Sequence, residues 1–136
     1  MNMETEDSVP LPVLLEHLNW HLQRMLEMEG NERTVYFRDA ALQRFEFTLT
    51  AVLKCLRAAA RHEGRDIETD EAVLEWAFRE GGFPPDTQWD ELLTACREIQ
   101  PEDREQSADR VYAHLADYRR RLQHLYEFLI RRFNDR

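Results

Sequence analysis

Two histidines near the start of the chain stand four residues apart, a spacing that places both side chains on one side of a helix. In that arrangement His17 and His21 could bind one metal ion, since imidazole nitrogen is a common zinc ligand. A zinc site needs further ligands, and no acidic or cysteine side chain completes the set at an obvious spacing. The alternative is a pair of surface histidines beside an apolar stripe. We therefore predict no bound metal and no cofactor.

The spacing of glycine and cysteine excludes several other kinds of site. The four glycines stand at positions 30, 64, 81 and 82, which is not the clustered loop of a P-loop or a dinucleotide-binding fingerprint. Cys55 and Cys96 form no Cys-x-x-Cys pair, and isolated cysteines of this kind are typical of reduced cytosolic thiols. No Ser–His–Asp arrangement can be argued from the spacing either.

Length and composition predict one cytoplasmic domain over residues 1–136, of which residues 1–9 are expected to form a disordered tail. The segment Met1–Asp7 is acidic and is followed by no apolar stretch typical of a secretory signal. No apolar run approaches the ~18 residues that cross a bilayer. The 27 acidic residues exceed the 18 basic ones, giving a net charge of −9, which does not favour nucleic-acid binding.

The apolar residues recur at steps of four and three along the whole chain, which predicts helices and no sheet. The predicted helices run from about Leu11 to Glu29, from Glu32 to His62, from near Thr69 to Gly81, over a short segment ending before Pro101, and from Pro101 or Ser107 to Phe133. Thr87 and Asp90 resemble a capping box before the fourth helix. We predict an all-α protein, an antiparallel up-and-down four-helix bundle with an additional short helix, in which the second helix is central.

Basic residues are concentrated at the carboxyl end of this acidic chain. From Arg110 onward there are seven arginines and three acidic residues, and Lys54 is the only lysine of the chain. Two interpretations are open. The last helix presents an interaction surface, or its arginines pair with acids on neighbouring helices.

The segment Arg38–Phe47, RDAALQRFEF, carries the most distinctive motif, and TLTAVLKCLRAAARHEG follows it. With ETDEAVLEWAFREGGF and QWDELLTACRE further along, it resembles the nucleotidyltransferase substrate-binding proteins of the HEPN superfamily. These small helical proteins are partners of minimal nucleotidyltransferases and are related to the HepT toxins. The resemblance extends from about Leu11 to Phe133. It implies a homodimeric four-helix bundle that pairs with a small nucleotidyltransferase.

The resemblance also implies a partner or substrate surface on this motif. Core packing at helical spacing explains the apolar positions of the motif without any function. The polar positions are either solvated charges and helical ion pairs or the residues that line the implied surface. The candidates for that surface are Arg38, Asp39, Gln43, Arg44 and Glu46.

In the active HEPN ribonucleases, an arginine and a histidine four to six residues later carry the chemistry, at the start of the final helix. The corresponding junction here is CREIQPEDR, residues 96–104, in which Arg97 matches the arginine. No histidine follows it, and Glu102 stands roughly where the histidine would be, where a carboxylate repels phosphate. We therefore expect a non-catalytic subunit with Arg97 as a remnant of the motif. The alternative is a HepT-like ribonuclease toxin with a degenerate motif.

A literal match to that motif occurs elsewhere, at Arg119, His124 and Tyr126. It lies well inside the last helix, where residues five apart diverge on the surface, so we interpret it as coincidence. The chain also lacks strands and a Gly-Ser turn that could present paired aspartates to Mg²⁺. Any nucleotidyl transfer is therefore expected to reside in a partner chain.

Overall fold

The computed structural model describes residues 9–29, 35–99 and 104–133. The helices within these ranges are α1 (Leu11–Glu27), α2 (Val35–His62), α3 (Asp70–Arg79), α4 (Glu91–Glu98), α5 (Arg104–Ala113) and α6 (Leu115–Phe133). The described residues contain no strand, so the all-α prediction is confirmed. None of the described helices is long and apolar enough to cross a bilayer. The predicted tail, except Val9, lies outside the described residues, as do Gly30, Glu32 and Glu102.

The 28-residue helix α2 is the centre of the bundle, as its wide apolar stripe predicts, and it contacts every other helix. Its inner side is closed to solvent, and Leu42, Phe45 and Leu56 are fully buried there. Thr48 is also fully buried, and its Oγ1 donates a hydrogen bond of 2.7 Å to the carbonyl oxygen of Arg44. That bond satisfies the one polar side chain on the buried side of this helix.

The shorter helices α3 and α4 differ in how their first turns are capped. Thr69 caps α3, because its Oγ1 accepts a hydrogen bond of 3.1 Å from the backbone N–H of Ala72. The predicted capping box before α4 is wrong. Asp90 is itself the N-cap there and forms no side-chain cap bond, so it cannot serve as the third helical residue after Thr87.

The predicted fifth helix is two helices, α5 and α6, that meet at His114. The imidazole Nδ1 of His114 lies 2.9 Å from the carbonyl oxygen of Arg110, the acceptor that an uninterrupted helix would give to the His114 N–H. That N–H donates instead to Val111, 3.0 Å away. The ring of His114 also stacks against Tyr118, which stacks in turn on Phe45 of α2. A side chain thus competes for the backbone acceptor and breaks the helix.

The arginines of α6 mainly form ion pairs with other helices, as one of the two interpretations of the sequence expects. Arg119 pairs with Glu29 in the turn that follows α1, and Arg121 pairs with Glu91 of α4 and Asp117 of α6. Each of these arginine side chains is less than one quarter exposed. Their charges therefore hold α6 to the bundle more than they present a basic surface to a partner.

Arg132 makes the most extensive of these contacts. Its guanidinium binds Glu63 with two hydrogen bonds of 2.7 and 2.9 Å and reaches Glu80 at 2.7 Å. The same group lies over the rings of Trp76 and Phe128, 5.9 and 5.6 Å from their centroids. One side chain thus joins the carboxyl ends of α2, α3 and α6.

Replacing Arg132 by leucine is expected to lower the free energy of unfolding by about 1–2 kcal/mol, between the values for exposed and buried ion pairs. The change leaves the carboxylates of Glu63 and Glu80 without this partner beside an apolar surface. Urea unfolding followed by circular dichroism at 222 nm measures the loss.

The matched control is Arg131→Leu, which makes the same chemical change at an exposed position one residue earlier. It is expected to change stability by less than about 0.5 kcal/mol. Equal unfolding midpoints for the two variants would contradict the assigned role of Arg132.

Candidate functional site

The outward side of α2 is uncovered over its first three turns. Tyr36 is 89 % exposed, and Ala40 and Gln43 are exposed at the following positions of the same helical face. Asp39, Ala40, Gln43 and Glu46 line a shallow depression of about 250 Å³ beside them. We call Tyr36, Asp39, Ala40, Gln43 and Glu46 the α2 surface. Three of its members are predicted site residues, and the structure brings them together.

Arg38 stands at the edge of the α2 surface and joins it to α5. Its Nη1 donates a 2.9 Å hydrogen bond to Asp109, and its Nε donates to Asp39 at 3.2 Å. The Arg38 side chain is only 11 % exposed, whereas that of Asp109 is 84 % exposed. These bonds, above all that to Asp109, raise the pKa of Arg38 further above its ordinary value. Arg38 is therefore a fixed charge that positions Asp39.

Arg44 does not belong to this surface, although the motif places it among the same candidates. Its guanidinium lies 5.8 Å from the ring centroid of Trp20 on α1. The guanidinium of Arg24 also lies over this ring, 5.1 Å from its centroid. The reason is helical geometry, since Arg44 lies about 100° around the helix from Gln43. Four of the five predicted residues thus share one region, and the fifth faces α1.

Arg97, the predicted remnant of the ribonuclease motif, forms an ion pair with Glu71 of α3. Both side chains are more than half exposed. The hydrogen bond from Arg97 is the main reason that the pKa of Glu71 is lowered. A guanidinium that already neutralises a carboxylate attracts phosphate less strongly. The predicted role of Glu102 falls outside the described residues.

The residues of the literal motif match in α6 contact different parts of the chain. Arg119 pairs with Glu29, while the Nδ1 of His124 lies 2.8 Å from the carbonyl oxygen of Gly82. His124 thereby holds the turn that follows α3. These two side chains anchor different parts of the chain to α6.

His17 and His21 do line one cleft, which lies between α1 and α2. Leu14, Phe47, Thr50, Ala51 and Lys54 form the rest of its wall, and its volume is about 210 Å³. We call it the α1–α2 cleft. Within the described ranges, no group of three or more metal-ligating side chains comes together, so this histidine pair has no third ligand there.

The exposed aromatic residues at this end of the molecule are a feature that the core pattern did not predict. Trp20 is 49 % exposed and Phe47 is 45 % exposed, and both contact the ring of His21. A signal was present, because Tyr36, Ala40, Gln43, Phe47 and Thr50 follow each other at steps of four and three. This second, weaker stripe lies opposite the buried one.

Neither cysteine is suited to nucleophilic chemistry. Cys55 is fully buried, and burial raises the pKa of its thiol to about 12. Burial, with a smaller contribution from Glu46, raises the pKa of the Cys96 thiol to about 11. Both thiols are therefore protonated at neutral pH.

No known protein-family model matches this chain, and a search of curated proteins finds no significant relative. The resemblance to the HEPN nucleotidyltransferase partners thus remains a prediction that rests on the RDAALQRFEF segment and the arrangement of helices.

Native Cys96 is expected to react slowly with a thiol reagent such as Ellman's reagent at pH 8. Raising its pKa from 9.0 to about 11 lowers the thiolate fraction by about 100-fold. Cys55 is expected to react only when the bundle opens. Reaction rates of the native chain are compared with those in 8 M urea, using Cys55→Ser and Cys96→Ser to separate the two thiols. A native rate within tenfold of the unfolded rate would contradict this assignment.

Proposed function

We propose that this chain is a non-catalytic helical subunit that forms a homodimer and pairs with a small nucleotidyltransferase, contributing to its substrate binding. The family, the partner and the dimer all come from the resemblance. The observation that supports them most directly is the α2 surface, which brings Asp39, Gln43 and Glu46 of the RDAALQRFEF motif together on the central helix.

The chemistry of the α2 surface suits contact with another protein. The central helix of a small bundle ordinarily has its sides covered by neighbours, yet Tyr36 and Ala40 remain exposed. Tyrosine is enriched at interfaces because it combines a large apolar ring with a polar hydroxyl. The carboxylates of Asp39 and Glu46 flank Gln43 and would favour a basic or amide-rich partner surface.

The surroundings of Arg97 favour binding over catalysis. General acid–base cleavage of RNA at the motif needs a histidine, which the sequence lacks at the junction. Arg97 forms an ion pair with Glu71, which neutralises its charge. The ribonuclease motif instead needs an arginine whose charge is not neutralised. Both features reduce the positive potential that an RNA phosphate would need.

Co-expression with a small nucleotidyltransferase from the same genome tests the proposal. The two proteins are expected to co-purify and to migrate as one complex in size-exclusion chromatography at micromolar concentration. Light scattering of the chain alone is expected to give twice its mass of 16.3 kDa. Separate migration of the two proteins would refute the partnership, and a 16.3 kDa particle would refute the dimer.

The variant Gln43→Arg tests the α2 surface within that experiment. A long cationic side chain between Asp39 and Glu46 fills the depression and is expected to weaken the complex at least tenfold. Gln23→Arg makes the same change at an exposed position of α1 and is expected to leave the complex intact. Equal effects from both variants would show that the surface is elsewhere.

The ribonuclease alternative makes the opposite prediction about Arg97. We expect the purified chain to leave RNA uncleaved and its expression alone to leave growth unchanged. Cleavage that Arg97→Ala abolishes would establish the alternative and overturn the non-catalytic assignment.

A further inference from the structure

We propose that a second copy of this chain docks on the exposed side of the α1–α2 pair. The docking residues are Val13, Glu16 and Trp20 on α1 with Arg44 and Phe47 on α2, and we call these five the aromatic face. The proposed function already expects a homodimer, so this inference rests on it and adds the surface, the symmetry and the ion pairs of the contact.

Large apolar side chains reach solvent on only two helices of the described part of the chain. They are Val13, Trp20 and Leu26 on α1 and Tyr36 and Phe47 on α2. Val13, which is 37 % exposed, stands seven residues before Trp20 and therefore lies on the same side of α1. The rings of Trp20 and Phe47 both contact His21, which places Phe47 beside that side of α1. Neighbouring exposed apolar groups of this kind mark a protein contact.

The surroundings of Trp20 are typical of the centre of an interface. The guanidinium groups of Arg24 and Arg44 lie 5.1 and 5.8 Å from its ring centroid, while the ring remains about half exposed. Tryptophan and arginine are enriched among the interface residues that carry most of the binding energy. Side chains that are already stacked on one another also lose less freedom when a partner binds.

Two charges beside Trp20 have no ion-pair partner among the residues that the structure describes. One is Arg44, and the other is Glu16, which is exposed one turn before Trp20 on α1. Arg24, by contrast, is paired with Glu27. The aromatic face thus carries one unpaired charge of each sign and no net charge. A strongly acidic partner would repel Glu16, and a strongly basic one would repel Arg44.

A second copy of the chain satisfies both charges at once. Identical chains related by a two-fold axis present the same surface to each other. An axis that passes between Glu16 and Arg44 brings Glu16 of each copy opposite Arg44 of the other, with the two aromatic side chains between these ion pairs. Since each chain has a net charge of −9, two copies approach most favourably where the local charge is neutral.

Light scattering of the full chain over a concentration series measures the dissociation constant of the dimer. Trp20→Ser is expected to raise that constant at least tenfold, because it removes the ring at the centre of the contact. The matched control is Leu26→Ser, which removes an apolar side chain of similar exposure from another side of α1. The control is expected to leave the constant within about twofold. Equal effects of the two variants would overturn the proposal.

Charge reversal tests the symmetry of the contact. Arg44→Glu and Glu16→Arg each place like charges opposite one another, so each variant alone is expected to dimerise at least tenfold more weakly. An equimolar mixture of the two is expected to form the heterodimer, because the variants carry opposite charges at both positions. Native mass spectrometry with one variant labelled with ¹⁵N detects it, and circular dichroism checks that each variant is folded.

Mixing distinguishes a contact between copies from an ion pair within one chain, which a second chain cannot restore. A mixture that stays as weakly associated as its components would overturn the assigned pairing of Glu16 with Arg44. The control Arg131→Glu reverses an exposed charge on α6 and is expected to leave the dimer unchanged. An equal loss of dimer in this control would indicate a nonspecific effect of net charge and would also overturn the pairing.

The outcomes separate this surface from the proposed function. A wild-type particle of 16.3 kDa would refute the homodimer of the proposed function and this surface with it. A wild-type dimer that neither Trp20→Ser nor the charge reversals weaken would refute this surface alone. Loss of the nucleotidyltransferase complex in Trp20→Ser, with the dimer unchanged, would assign the aromatic face to that enzyme and overturn the present inference.

Discussion

Burial of one side of α2 is the constraint on which the rest of this structure depends. A helix of 28 residues with a wide apolar stripe cannot remain in water, so it must be covered along its whole length. No single helix of this chain covers it, and α1, α3, α4, α5 and α6 each contact part of it. The exposed side of α2 is what remains after that packing, and it carries Asp39, Gln43 and Glu46 of the motif.

Ion pairs between helices add to the packing that burial of apolar side chains provides. The chain has far more acidic than basic residues, and many of its arginines reach carboxylates on other helices. Arg132 at the carboxyl ends of three helices and Arg38 between α2 and α5 are the clearest cases. The ion pairs of Arg119, Arg121 and Arg132 reduce the cationic charge on the surface of α6. At the α1–α2 cleft, burial first and then the neighbouring Arg44, His17 and Lys54 lower the pKa of His21.

The candidate site could be predicted in part from the sequence. The resemblance carried by the RDAALQRFEF segment named Asp39, Gln43 and Glu46 as candidates, and the structure brings these three together beside one depression. It also grouped Arg44 with them, whereas in the structure Arg44 turns toward Trp20 on α1. The pairing of Arg97 with Glu71 joins residues 26 positions apart, and helical periodicity contains no information about such a contact.

The sequence alone determined that the chain is helical and that α2 is central. Those properties follow from local periodicity and from the hydrophobic effect acting on each segment. The tertiary structure decided where the last helix breaks, because His114 takes the backbone acceptor of Arg110 while its ring stacks on Tyr118, and Tyr118 stacks in turn on Phe45 of α2. It also decided which charges are neutralised and which line a cleft, since these depend on side chains that only folding brings together.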